Sequence, residues 1–201
     1  MVMTGVLLWY VNAYINIKIT CNYISMTIFM NLLNEVGEHG PFILSVLTIY
    51  LLWDRNNLLF YYLIGLVCNF ILNIVLKGII QQPRPCFNSK EFQLALRNNK
   101  RYVYKDGLPF DIFGMPSGHA ESVLYSTMFI FLALRKKNWL YVYLFICIIT
   151  FIQRVVFKYH SVPQILVGAP IGALLAYLIY TLAEKKLKGT IREKRDDYGP
   201  I

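Results

Sequence analysis

The chain is 201 residues long, 57% hydrophobic and only 15% charged, with a mean hydropathy of +0.48. One soluble core cannot hide that much apolar surface, so a soluble globular domain is excluded and a bilayer is the natural solvent. The net charge of +9 comes from basic residues grouped between long apolar runs, which fits loops beside anionic headgroups and argues against nucleic-acid binding.

Residues 1–36 are apolar but interrupted by Asn12, Asn16, Lys18 and Asn22, so they read either as a further span or as a helix lying in the interface. No basic stretch followed by a small-residue cleavage site is present, and this segment is expected to stay in the mature protein. Next come apolar stretches at Phe42–Trp53 and Leu58–Leu76, separated by Asp54-Arg55-Asn56-Asn57. The second has nineteen residues, close to the roughly 20 needed to cross the hydrocarbon core. Asn69, Asn73 and Lys77 follow one another at intervals of four, placing all three on one helix face that should point inward. Two asparagines alone would equally serve as hydrogen-bonding contacts between helices.

A long polar loop is expected from Lys77 to Pro116, and loops of that length are commonly functional. Three more apolar stretches follow, at His119–Leu134, Trp139–Ile152 and Ile165–Leu182, with Arg135-Lys136-Lys137 between the first two. In the last, Gly168, Gly172 and Ala176 repeat every four residues, a small-residue face that lets another helix come close. The tail at 185–201 is charged. The expected organisation is therefore 1–36, a membrane domain at 37–184, and the tail. Cys68 and Cys147 fall inside spans, and Cys21 and Cys86 stand alone, so no disulfide framework or zinc site is expected.

The long loop and the Arg154–His160 segment are separated by two spans and fall on one side of the membrane. The Arg135-Lys136-Lys137 turn and the tail, with Lys185, Lys186, Lys188, Arg192, Lys194 and Arg195, fall on the other, which the positive-inside tendency makes cytoplasmic. Three clusters thus meet on the extracytoplasmic side: Lys77 to Pro85, Pro116-Ser117-Gly118-His119, and Arg154 to His160. Lys77 and Arg84 are seven apart and share a face if the helix continues, although either one alone reads as a snorkelling anchor. Ser117 is a natural N-cap, and the N–H groups of a helix start attract an anion. A lone turn of this kind would be ordinary capping. His160 is a competent nucleophile once its tautomer is fixed, and Gln164, one helical turn on, can accept its ring N–H. Two histidines without a third histidine or a carboxylate at ligand spacing argue against a metal.

In order and spacing, the three clusters resemble the signature of the type 2 phosphatidic acid phosphatase superfamily. That signature is a lysine, six residues and Arg-Pro, then Pro-Ser-Gly-His, then an arginine, five residues, a histidine, three residues and an aspartate. The likeness covers roughly residues 77 to 165, and the departure is Gln164 in place of the aspartate. It implies an all-α integral membrane bundle of about five to six transmembrane helices with one long active-site loop. It also implies a cofactor-free phosphatase acting on a lipid-linked or other phosphorylated substrate. His160 would attack phosphorus and His119 would protonate the leaving group, while Lys77, Arg84, Ser117, Gly118 and Arg154 hold the phosphoryl oxygens. Glutamine at the last position resembles the dolichyl-diphosphatase and glucose-6-phosphatase branches, and the stretch from Lys158 to Gly168, with Gln81-Gln82-Pro83-Arg84-Pro85 and Gly114 to His119, is most similar to the dolichyl-diphosphatase branch. A polyprenyl diphosphate is the expected substrate, with an endoplasmic-reticulum membrane and a lumenal site. Phosphatidic acid, sphingoid phosphates, glucose 6-phosphate, phosphoryl transfer to another acceptor and phospholipid binding without turnover remain alternatives.

Overall fold

A computed structural model of the chain describes residues 26–105 and 108–190. The expectations for 1–25 and for the tail beyond 190 lie outside them. The chain divides into two compact units, Met1–Glu35 and Val36–Ile201. Helix α1 covers 26–38, and its last three residues open the second unit. There follow α2 (Gly40–Leu51), α3 (Asn56–Ile80), α4 (Ser89–Arg97), β1 (Tyr102–Lys105), β2 (Leu108–Asp111), α5 (Gly118–Leu134), α6 (Lys137–Val156) and α7 (Val162–Thr190).

All five expected spans are helices. Helices α3, α6 and α7 are long and apolar enough to cross a membrane, whereas α2 and α5 are shorter, with 12 and 17 residues. The protein is an integral membrane bundle. Helix α3 turns Phe60, Val67, Phe70 and Val75 outward, as a lipid-facing surface would, while Tyr62, Asn69, Asn73 and Lys77 are buried. Helix α5 packs against α2, α3, α6 and α7, and Phe131 is its only exposed residue. A helix enclosed by other helices need not match the bilayer thickness, which accounts for its modest length.

Lipid tails are as apolar as leucine, so contacts between the helices lean on close approach and on polar pairs. The small-residue face of α7 supplies the first: Gly168 and Gly172 lie against main-chain atoms of Ser117 and Glu121, and Ala176 is wholly buried. Buried hydroxyls supply the second, with Tyr62 to Ser126 at 2.8 Å, Tyr125 to the Tyr62 carbonyl at 2.8 Å and Thr48 to Tyr143 at 2.8 Å.

The stretch after Lys77 departs from a plain loop. Helix α3 stops at Gln81, which is left-handed at φ 49° and returns its N–H to Lys77 O. Arg84 is therefore on no helix face, and the shared-face expectation for Lys77 and Arg84 fails, since Pro83 has no N–H to continue the ladder. Residues 82–84 instead run antiparallel to 112–114, through Arg84 N to Ile112 O, Gly114 N to Gln82 O and a bridge between Pro83 and Phe113. Helix α4 starts on an Asn88 side chain that accepts the Glu91 N–H at 2.8 Å, and its Phe92 packs with Ile112 and Phe113. Strands β1 and β2 pair antiparallel, with Tyr102 opposite Asp111.

Candidate active site

The three clusters, far apart in sequence, meet at one end of the bundle around a cavity of about 640 Å³ lined by Lys77, Arg84, Gly118, His119, Arg154 and His160. Lys77 comes from the last turn of α3, Arg84 from the extended stretch after it, Gly118 and His119 from the start of α5, and Arg154 from the last turn of α6. His160 lies in the turn between α6 and α7, held by its N–H to Arg154 O. Pro41, Phe42, Phe70 and Phe110 give the cavity an apolar wall beside this charged end.

The hydrogen bonds of His160 determine its tautomer. Arg84 Nη1 stands 3.1 Å from Nε2, and a guanidinium N–H can only donate, so Nε2 is the acceptor. Nδ1 then carries the proton and donates to Gly114 O at 2.9 Å and to Gln164 Oε1 at 3.2 Å. The Gln164 acceptor expected from the spacing is present, joined by a shorter bond to a main-chain carbonyl. The side chain of Gln164 is itself fully engaged: Oε1 also accepts from Ser161 N, and Nε2 donates to Gln82 Oε1 at 3.0 Å and Pro83 O at 2.9 Å. Gly114 has to be a glycine, because a Cβ there would stand 2.6 Å from Gln164 Oε1.

Burial, and then the charges of Arg84, Lys77 and Arg154, hold the His160 imidazole well below its ordinary pKa. Desolvation likewise lowers Arg84, with Asp111 opposing the shift; a guanidinium starts so high that it keeps its charge. Arg84 also donates from Nε to Asp111 O at 2.7 Å and from Nη1 to Tyr159 O at 3.3 Å, and lies 4.4 Å from the centre of the Phe110 ring.

Ser117 caps α5, its hydroxyl accepting the Ala120 N–H at 3.4 Å. It is wholly buried, so that hydroxyl serves the helix start. The N–H groups of Gly118 and His119, in the first turn, have no acceptor within their own helix. His119 Nε2 is 3.1 Å from Glu38 O and is also contacted by Arg154 Nη2. Arg154 stacks 4.9 Å from the Tyr159 ring centre, and its buried Nε–H has no acceptor among the described residues. Asp111, absent from the sequence expectations, accepts from Arg101 Nη2 at 3.1 Å and from Phe113 N at 3.0 Å, and lies 3.8 Å from Lys77 Nζ. Among the described residues, no group of three or more His, Cys, Asp or Glu side chains could hold a metal ion. Three buried cations, a helix start and a neutral imidazole with its lone pair facing them suit a multiply charged oxyanion.

The model of the PAP2 superfamily matches residues 58–188. A dolichyldiphosphatase of Saccharomyces cerevisiae is 30% identical over 139 residues, covering 64% of this chain and 51% of the yeast protein. The chloroplastic lipid phosphate phosphatase epsilon 1 of Arabidopsis thaliana is 31% identical over 133 residues, covering 62% of this chain and 40% of the plant protein. The chain thus spans about half the length, or less, of these relatives. The crystal structure of a transmembrane PAP2 type phosphatidylglycerolphosphate phosphatase from Bacillus subtilis shares the fold, with a TM-score of 0.53 at 24% identity over 81% of this chain and 80% of that one.

Proposed function

Because the chain belongs to the PAP2 superfamily, we propose that it is a membrane phosphatase that cleaves a lipid phosphate or diphosphate through a phosphohistidine. The observation that carries this reading is the His160 tautomer, with the protonated Nδ1 anchored and Nε2 turned to the cations in the cavity. An arriving phosphoryl group draws the Arg84 N–H away from Nε2 and frees the lone pair for attack on phosphorus. His119 gives a proton to the leaving oxygen, which departs with the electrons of the broken P–O bond. A water molecule then attacks phosphorus, giving up a proton to His119, and the P–N bond breaks with its electron pair returning to His160 Nε2 as inorganic phosphate leaves. Lys77, Arg84, Arg154 and the Gly118 and His119 N–H groups balance the charge of both transition states. The unpartnered Arg154 Nε–H suits a phosphoryl oxygen.

A polyprenyl diphosphate is the proposed substrate. Support comes from the likeness to the yeast dolichyldiphosphatase and from the apolar wall of the cavity beside its charged end. On this reading the site faces the lumen of the endoplasmic reticulum, and 37–184 is the phosphatase domain. Phosphate release by the detergent-purified protein in EDTA, from farnesyl diphosphate, phosphatidic acid and glucose 6-phosphate, tests it. Farnesyl diphosphate is expected to be hydrolysed fastest. Faster release from phosphatidic acid would move the substrate to phosphate monoesters, and release from none of the three would sink the enzyme reading.

Gln164 bears on the same reading. A carboxylate in its place would turn one oxygen toward Gln82 Oε1 and Pro83 O, which now receive N–H groups. Leaving buried acceptors opposed costs about 1–3 kcal/mol. Gln164→Glu is therefore expected to lower kcat by about 10-fold to 100-fold, even though the family pattern has an acid there. A kcat equal to or above that of the wild type would show that the amide is not needed.

A further inference from the structure

We infer that Asp111 is a positioning residue of this site: its carboxylate faces Lys77 as a competitor for phosphate, and its main-chain oxygen holds Arg84. The inference rests on the phosphatase reading for its kinetic consequence and on geometry alone for its electrostatic one.

Asp111 ends β2, where the hairpin passes into the stretch paired with residues 82–84. Its carboxylate is fixed from behind by Arg101, through Nη2 to Oδ2 at 3.1 Å and Nε to Oδ1 at 3.4 Å, and by Phe113 N at 3.0 Å. Arg101 is in turn tied to α3 through Ile74 O at 3.0 Å. The remaining approach of Oδ2 is to Lys77 Nζ at 3.8 Å, and Lys77 and Asp111 side chains are only 8% and 13% exposed. Arg84 Nε meets the Asp111 carbonyl at 2.7 Å, and Asp111 lines the cavity alongside both cations. One residue of the hairpin therefore keeps a lysine from α3 and an arginine from the extended stretch after it at a set separation. An incoming phosphate has to displace the carboxylate from Lys77, and Arg101 keeps a partner for Asp111 when it does.

The test is Asp111→Asn in the full-length protein, which preserves the main-chain bond to Arg84 and removes the charge. Affinity for phosphate and turnover should move in opposite directions. The Kd for inorganic phosphate should fall about threefold to tenfold, because the competing anion is gone, while kcat on farnesyl diphosphate should fall about tenfold, because Lys77 is no longer tethered. A merely structural lesion would weaken both. Arg101→Gln, at a residue outside the cavity lining, provides a second variant: it leaves the carboxylate to Lys77 alone and should raise the Kd for phosphate. Phosphate binding that is unchanged or weaker in Asp111→Asn, or a kcat that is undiminished, overturns the inference. A wild type that binds phosphate but releases none from any substrate would defeat the phosphatase reading, and the phosphate titrations would still decide the role of Asp111.

Discussion

His160→Ala is expected to cut kcat/KM by roughly 10⁴-fold or more, since removing a nucleophile abolishes the covalent route and leaves only binding and charge stabilisation. The expectation follows from how completely the ring is built in: 2% exposed, bonded through Nδ1 to Gly114 O and through Nε2 to Arg84. The variant should still fold, because the His160 N–H that holds the turn to Arg154 O belongs to the main chain. Acid-quench trapping with a phosphorus-labelled substrate should show an acid-labile phosphoprotein in the wild type and none in the variant. Retained turnover, or label in the variant, would assign the nucleophile elsewhere.

Burial and the neighbouring cations depress the pKa of this histidine below its ordinary value, which fixes the sign of two pH effects. The neutral, nucleophilic form persists below about pH 6.5, so the acid fall of kcat/KM due to His160 should be centred under that pH. The unfolded chain binds this proton more readily than the folded one, so the stability linked to His160 is present above the unfolded pKa and lost as pH falls through that value toward the folded one. A profile of kcat/KM with its acid limb at pH 6.5, shown to move on changing His160, would contradict this arrangement.

Gly172→Val is the second large effect, and it acts on the fold. A Cβ at Gly172 would overlap Glu121 O and come within 2.7 Å of Glu121 C and 3.0 Å of its Cα. These are main-chain atoms of a neighbouring helix, so no side-chain rotation relieves the contact. Overpacked cores usually cost about 1–3 kcal/mol where side chains can adjust, and here α5 and α7 would have to separate. The variant is expected to lose its monodisperse peak in detergent size-exclusion chromatography. Gly78→Ala, whose added Cβ would find Arg101 Nη1 at 3.5 Å as its one neighbour, should keep that peak. A well-folded, active Gly172→Val protein would show that the two helices are not held in register by this contact.

Much of this arrangement was legible because it is carried by side chains at helical spacing. The buried face of Asn69, Asn73 and Lys77, the small-residue face of α7, the Ser117 cap and the reach from His160 to Gln164 all follow from intervals of three or four residues. The stretch between Lys77 and Pro116 was harder for two different reasons. Some signals there are local, such as Asn88 with Glu91 three residues on, which is a capping pattern. Other features have no side-chain signature at all. The carbonyls of Gly114 and Glu38 reach the two histidines through tertiary packing, and Arg84 enters the cavity because the chain leaves the helix at Gln81, where a continued helix would have carried it elsewhere. Asp111 reads in the sequence as one more polar loop residue, since its importance comes from pairing across the hairpin and the 82–84 stretch.

Helix α5, closed in by four neighbours with only Phe131 reaching the outside, has no face on which mutations are free to accumulate. In a saturation scan scored by function, α3, α6 and α7 should each show tolerance that rises and falls once per helical turn, permissive toward lipid and strict toward the bundle. The record for α5 should be flat and intolerant along nearly its whole length, with a single permissive position at 131, so that the helix carrying His119 would diverge most slowly among related chains.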